Sequence, residues 1–456
     1  MKCNKCFWKT FTSRTTIKRF VSTEPSVSDK LRKNEIFKKY ESGFAISHLY
    51  ANKVGAHTPI QETWAEARSL HNKDIMFGVF DGNSGSACSH VVAKRLFAYL
   101  QASLLPKRFL EECINSMAKY DQKIKFLDSF QDRYFFLQDY QNVYEDSYRA
   151  FIKELAEEEP MDLEESLKRA FERLDLDMSK EAMDDNTNDK RFLWVAMTGS
   201  GATVLHLSGL KATLSTAGDS LVVVGTEDGR SKVLTPEHNV ENEKEVKRVL
   251  LEHPGEEGLV RDGHLLGALT ALRSFGNFRY KWDKDMITRF LVPHYGESVV
   301  PERSLTPPYI TASPDIGSYT ICPEDKFIVI ASDGIWDIFP PEKVVNIILN
   351  HQPVHQAVKL LTAPYKKFQQ VRSILRKEDF KEEVEVMDSP ATQLILEGLI
   401  SATKLLQLPD KFVRNVRDDM TVLILYIDQN FVKVHANEQE SVKYKDSEYV
   451  KSEFII

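Results

Sequence analysis

The chain has 456 residues, with 60 Lys and Arg against 67 Asp and Glu, a formal net charge of −7. Hydrophobic types make up 42% and charged types 28%, near the averages of globular chains, which excludes disordered, collagen-like and coiled-coil classes. The mildly acidic balance argues against nucleic acid as a main partner. No apolar run approaches the ~18 residues of a membrane span. Five scattered cysteines (Cys3, Cys6, Cys88, Cys113, Cys322) point to a reducing compartment rather than a disulfide framework.

The chain opens with an unusual stretch. Met1 to Thr23 carries Lys2, Lys5, Lys9, Arg14, Lys18 and Arg19 and no acid; Glu24 is the first carboxylate. This Ser- and Arg/Lys-rich composition is that of a mitochondrial transit peptide, with a processing site near Phe20; the alternative reading is a disordered basic tail. Cys3 and Cys6 have no second ligand pair at a spacing that suits structural zinc. Residues 1–30 are therefore read as a leader outside the fold.

Elements follow in order. Ile75–Phe80 is a short apolar strand that stops at the turn-forming Asp81-Gly82-Asn83-Ser84-Gly85. Ser89–Leu105 then spaces Val92, Leu96, Tyr99, Leu100 and Leu104 at helical intervals. Residues 106–190 read as a charged helical insert, clearest over Leu163–Leu176, and Met183–Arg191 reads as a loop. From Gly199 the period changes. Thr203–Leu207, Lys211–Ala217, Leu221–Gly225 and Lys232–Thr235 are strand-like and joined by short turns, so they pair antiparallel and exclude a Rossmann-type fold. Glu241–Glu252 is a charged helix; Phe327–Ala331 and Thr421–Ile427 are strands; Pro341–Lys411 is mainly helical. The segment after Asp428 reads as a loose charged tail.

Aspartates at strand edges carry the chemistry. Phe77–Phe80 ends on Asp81-Gly82, Phe327–Ser332 ends on Asp333-Gly334, and Asp418-Asp419 opens Met420–Ile427; Gly218-Asp219-Ser220 lies between two strands. Carboxylates held at the rim of a sheet suit Mg²⁺ or Mn²⁺, which take hard oxygen ligands. The glycine after Asp81 and Asp333 allows close approach of the backbone.

Phe80-Asp81-Gly82, Gly199-Ser200-Gly201-Ala202-Thr203, Gly218-Asp219-Ser220, Ser332–Asp337 and Arg417–Val422 resemble, in order, the motifs of the metal-dependent type 2C protein Ser/Thr phosphatases. The resemblance runs from about Glu41 to Ile427. Within that family, Gly78–Ser89, Glu237–Pro254, Leu272–Trp282 and Pro307–Pro314 are similar to the pyruvate dehydrogenase phosphatases of the mitochondrial matrix.

The resemblance implies an α+β fold: a central antiparallel β-sandwich flanked by helices in four αββα layers, with helical insertions. It implies a catalytic domain over 35–430, with the insert at about 106–190, and a charged C-terminal tail over 431–456. Carried over position by position, Asp81 bridges two Mg²⁺ or Mn²⁺ ions, the Gly82 carbonyl binds one, Asp333 and Asp418 bind the other, and Asp219 lies near a weaker third. A metal pair of this kind activates water for direct attack on phosphoserine or phosphothreonine. The implied partner is a phosphoprotein of the pyruvate dehydrogenase complex, with dephosphorylation activating its E1α subunit; a regulatory subunit is left open.

Four positions depart from the family pattern. Asn83 stands where the family usually has a His thought to protonate the leaving oxygen. Gln61 replaces a carboxylate, with Glu62 or Glu66 as candidates to supply the charge. His57 occupies the position of a phosphate-contacting Arg, and Asn277 replaces the Asp of a Phe-Gly-Asp. Two readings follow: an active, slow phosphatase, or a silent pseudophosphatase that binds phosphoproteins. His238, His253 and Cys88 read as packing residues. Arg273 and Lys281 are open between a substrate contact and a solvated face.

Overall fold

A computed structural model of the chain describes residues 31–120, 125–131, 140–184, 190–351, 389–403 and 418–436. The leader, the Cys3/Cys6 pair, part of the 341–411 helical expectation and residues 437–456 lie outside the described residues.

Two six-stranded antiparallel sheets face each other. The first runs β1 (Ile36–Lys39), β2 (Ile46–Val54), β17 (Met420–Ile427), β16 (Asp325–Ala331), β10 (Leu221–Thr226), β11 (Ser231–Val233). The second runs β15 (Asp315–Thr320), β9 (Lys211–Ala217), β8 (Ala202–Ser208), β4 (Ile75–Phe80), β3 (Thr63–Ser69), β6 (Leu127–Gln131). A small third sheet joins β5 (Gly82–Asn83), β7 (Gly199–Ser200) and β14 (Phe275–Gly276). A two-stranded ribbon, β12 (Val260–Arg261) with β13 (His264–Leu265), belongs to a satellite lobe.

Alternation along each strand builds the layers. In β17, Leu423, Leu425 and Ile427 enter the space between the sheets, while Met420, Val422 and Ile424 pack outward. In β4, Ile75, Phe77 and Val79 face inward, and Met76 and Phe80 face helices. Both faces of these strands are covered, which is why they read as continuous apolar runs. Each fully buried side chain of this kind contributes about 1.5–3 kcal/mol.

One outer layer holds α1 (Ala87–Leu104), α2 (Lys107–Tyr120), α3 (Gln141–Glu157), α4 (Leu163–Ala182) and α5 (Lys190–Met197). The other holds α7 (Pro341–Leu349) and α8 (Pro390–Thr403), whose Val344, Ile348, Leu394 and Ile395 pack on the first sheet. α6 (Glu243–Glu252) serves the satellite lobe through Val249, beside Leu259, Leu265 and Tyr309. This is the expected four-layer αββα arrangement.

The helical insert differs from expectation in one respect: Leu127–Gln131 forms a strand, β6, on the edge of β3. A segment of five residues is too short to declare a period, and the open edge of β3 decides its state. α4 extends beyond the amphipathic stretch that predicts it, with a capping box in which Asp162 accepts from Glu165 N at 2.8 Å. Residues 429–436 also differ, since they are helical rather than loose. Asp428 accepts the N–H groups of Asn430 and Phe431, and Val432 is buried against the inter-sheet core.

Candidate metal centre

Strand register places the acidic residues at one end of the sandwich. Thr63 pairs with Phe80, Val79 with Thr203, Ala202 with Ala217, Leu221 with Ala331, and Ala331 with Val422. The residues one to four positions beyond these ends therefore gather at the same end of the sandwich: Glu62, Asp81, Gly201, Asp219, Asp333 and Asp418-Asp419. Asp81 and Gly201 extend the ladder by exchanging backbone hydrogen bonds, at 3.1 and 2.7 Å. Asp333 opens a single helical turn, Asp333–Trp336, immediately after β16. Trp336 packs the sheet edge, its Nε1 donating to Ala331 O at 2.7 Å.

Two carboxylate groupings result. One oxygen each of Glu62, Asp81 and Asp333 lie within 4.8 Å of one another; His57, Asp418 and Asp419 form the second grouping at the same spacing. Asp81 Oδ2, Asp333 Oδ1 and Glu62 Oε1 are buried and, among the described residues, take no hydrogen bond. Burial, then the charges of Asp333, Glu62, Asp219 and Asp418, hold the Asp81 carboxyl well above its ordinary value. Asp333 is raised by burial and by Asp219, Glu62, Asp418 and Asp337. Glu62 is pushed up to about 8, by burial first and then by Asp419. Asp219 rises to about 6, by burial and then chiefly by Glu237, Asp337 and Asp418.

Unpartnered buried carboxylate oxygens that repel one another are costly unless a cation joins them. The donor set is all oxygen from carboxylates, which fits Mg²⁺ or Mn²⁺. Of the two candidates for the missing charge, Glu62 belongs to the centre. Glu66 does not, because Lys38 and Tyr40 hold it.

Asp419 has a different role from its neighbour. Fully buried, it accepts the backbone N–H groups of Ala56, His57 and Gln61 at 2.5, 2.8 and 2.7 Å. Asp418 is half exposed, and its Oδ1 lies 3.6 Å from His57 Nδ1. His57 thus faces the Asp418-Asp419 pair at the rim of the site. Two glycines admit this packing: a Cβ on Gly82 would stand 2.1 Å from the Gln61 carbonyl oxygen, and one on Gly334 would stand 1.9 Å from that of Asp419.

Asn83 and Asn277, noted in sequence as separate departures, touch: Asn277 Nδ2 donates to Asn83 Oδ1 at 2.9 Å. The remaining candidates are structural. Arg273 is held by Glu245 and Asp315, and Lys281 by Asp175, so neither reaches outward to a substrate. His253 bonds Thr306 Oγ1 at 2.8 Å, and His238 is fully buried beside Gly218, so both pack. Cys88 is buried, and burial raises its thiol, as befits a packing residue. Sequence reasoning gave no role to Glu237 and Asp337, which border Asp219.

Comparison with known proteins adds the lineage. The protein phosphatase 2C family profile matches residues 133–363, a span that includes Asp219 and Asp333. Pyruvate dehydrogenase (acetyl-transferring) phosphatase 1, mitochondrial, of Bos taurus is 31% identical over 465 residues, covering 93% of this chain and 86% of that protein. The chain belongs to the protein phosphatase 2C family. The phosphatase 2 of the same name from Homo sapiens is 29% identical to it over 430 residues, covering 85% of this phosphatase and 79% of the human protein. A solved serine-threonine phosphatase 2C from Toxoplasma gondii superposes with a TM-score of 0.47 at 13% identity, covering 86% of this chain and 99% of that one. The protein is a protein Ser/Thr phosphatase.

Proposed function

We propose that this phosphatase hydrolyses phosphoserine at the Glu62–Asp81–Asp333 centre, with Asp418 and the Gly82 carbonyl completing the ligand set and Asp219 beside it. The carrying observation is the three buried carboxylate oxygens that lack a partner among the described residues. Divalent ions bound there supply Lewis-acid activation of water and neutralise phosphoryl charge. The protein's own part is positional. β4, β16 and β17 fix the carboxylates, Asp419 clamps the 56–61 loop, and His57 and Asn83 border the space a phosphoryl group enters.

The substrate proposed is the phosphorylated E1α subunit of pyruvate dehydrogenase, in the mitochondrial matrix, with dephosphorylation activating it. The names of the relatives and the acid-free leader support this reading. The domain organisation proposed with it is one catalytic domain over 35–430, a leader over 1–30 and a charged tail over 431–456, of which 431–436 continues the fold as a helix. The rival reading, a silent phosphoprotein-binding regulator, draws on Asn83, which cannot protonate a leaving group. A general acid is worth ~10²–10⁴ in rate, against an acceleration that reaches ~10²¹ for phosphate monoesters. Turnover therefore survives its loss.

The test is phosphate release from phosphorylated E1α and from an unrelated phosphoserine protein, with and without Mn²⁺. Mn²⁺-dependent release that favours E1α supports the proposal. Equal rates on both proteins remove the substrate assignment, and release that needs no metal removes the centre. Import into isolated mitochondria tests the compartment; a chain left outside and unprocessed contradicts it.

A further inference from the structure

Asn83 and Asn277 lie 194 positions apart in the chain yet meet across the three-stranded sheet. Asn83 and Gly276 both pair with Gly199, which brings the two side chains over one glycine. A Cβ on Gly199 would stand 2.0 Å from Asn277 Nδ2 and 2.8 Å from Asn83 Nδ2. Asn277 is 1% exposed and left-handed, with φ 51°. Its own N–H donates to Thr198 O at 2.8 Å, and its Nδ2 also reaches Ser274 Oγ at 3.4 Å.

The loop that carries it is strapped to the helical layer. Asp175 of α4 accepts from Gly276 N at 2.9 Å and from Lys281 Nζ at 2.7 Å, and Lys281 also donates to Ser274 O at 2.7 Å. Asn277 thus has little freedom. Asn83 is held through its oxygen, and among the described residues no protein group accepts from its Nδ2. Its position, two residues from Asp81, borders the metal centre.

We propose that Asn277 is a positioning residue that grips the Asn83 carboxamide by its oxygen, so that Asn83 presents N–H to a phosphoryl oxygen of the substrate. The two asparagines form one unit at the positions where the family resemblance expects a His and an Asp. A pair that takes up protons is replaced by a neutral hydrogen-bond donor. The inference rests on the phosphatase reading above.

The experiment uses the full chain with Mn²⁺ and a phosphoserine peptide, and measures kcat and KM together with inorganic phosphate binding by calorimetry. N277G removes the grip without backbone strain, because glycine accepts the left-handed conformation. It lowers kcat by about tenfold, a fraction of what losing a whole transition-state donor costs, with KM nearly unchanged. N277D acts more strongly: its carboxylate only accepts, so Asn83 must turn its N–H inward and set its oxygen against the phosphoryl group. N83H/N277D recovers activity above both single variants, since the His donates to the Asp and offers its other nitrogen to the substrate. Thermal melts confirm that each variant folds.

Wild-type turnover that is unchanged in N277D, or losses in the double variant equal to the product of the two singles, overturns the inference alone. A wild type that binds phosphate without turnover, and weakens that binding in N277D, contradicts the phosphatase reading and keeps the inference. A wild type that neither turns over nor binds phosphate contradicts both.

Discussion

The Asp419 carboxylate accepts the Gln61 backbone N–H at 2.7 Å, and the Gln61 carbonyl in turn lies where a side chain on Gly82 would have to go. One buried acid thereby ties the start of β17 to the loop before β3 and to the turn after β4. It sits beside the acidic cluster as an anchor, while its neighbour Asp418, whose Oδ1 accepts the Asp419 N–H at 2.7 Å, stands half exposed at the rim.

Replacing that anchor is a stability experiment. D419N keeps the shape but turns an N–H₂ toward backbone donors that need an acceptor. Chemical denaturation of metal-free protein is expected to show a loss of about 1.5–3 kcal/mol, the scale of hydrogen bonds to a buried charge. A midpoint within error of wild type would mean that Asp419 is not the clamp described.

The acidic cluster sets a pH dependence. Glu62 is raised from an ordinary 4.5 to about 8. Below about pH 4.5 the folded and unfolded states both hold the proton, and the group costs nothing. As pH climbs toward 8 the unfolded chain ionises first, so folding stability falls across that window and levels off above it. Asp81 and Asp333 act with the same sign. Metal-free protein is therefore expected to melt at progressively lower temperature from about pH 4.5 to 8. E62Q flattens the slope, and Mn²⁺ reverses it. A flat metal-free profile in the wild type would show that these carboxylates are not packed together.

Gly334 offers a steric test. An added methyl would meet the Asp419 carbonyl oxygen at 1.9 Å, a backbone atom that has no soft way to retreat. G334A is expected to cost about 1–3 kcal/mol, as overpacking does, and to weaken Mn²⁺ binding in calorimetry by displacing Asp333. Wild-type affinity in a folded G334A would contradict that packing.

The helical layer provides a contrast remote from the carboxylates. Arg95 of α1 is buried and bonded by both nitrogens to Glu181 of α4, at 2.7 Å each. E181A strands that guanidinium and should destabilise by about 3–5 kcal/mol, while kcat/KM of the folded fraction stays near wild type. A selective loss of kcat/KM at full stability would tie this pair to catalysis instead.

How far these features were legible follows from the range of each signal. Asp81 and Asp333 could be read because each follows an apolar run and precedes a glycine, a pattern complete within ten residues. Glu62 and Glu66 could not be told apart, because one precedes β3 and the other lies four residues on inside it, and both are buried; only their partners show that Lys38 and Tyr40 occupy Glu66 while Glu62 Oε1 has none among the described residues. β6 was missed because its partner, not its composition, makes it a strand. The Asn83–Asn277 contact joins positions that no local period connects, and Lys281, open in sequence to a substrate role, answers to Asp175 on an inserted helix.

The most direct measurement is phosphate release from a phosphoserine peptide across a Mn²⁺ titration, in wild type, D81N and D333N. The expected result is saturable, metal-dependent turnover in the wild type, and a loss on the order of 10³-fold in each variant, since each removes a charge that seats the ions. Turnover in D81N or D333N that matches the wild type at every Mn²⁺ concentration would contradict the assignment of the centre, and a wild type silent at saturating Mn²⁺ would contradict the phosphatase itself.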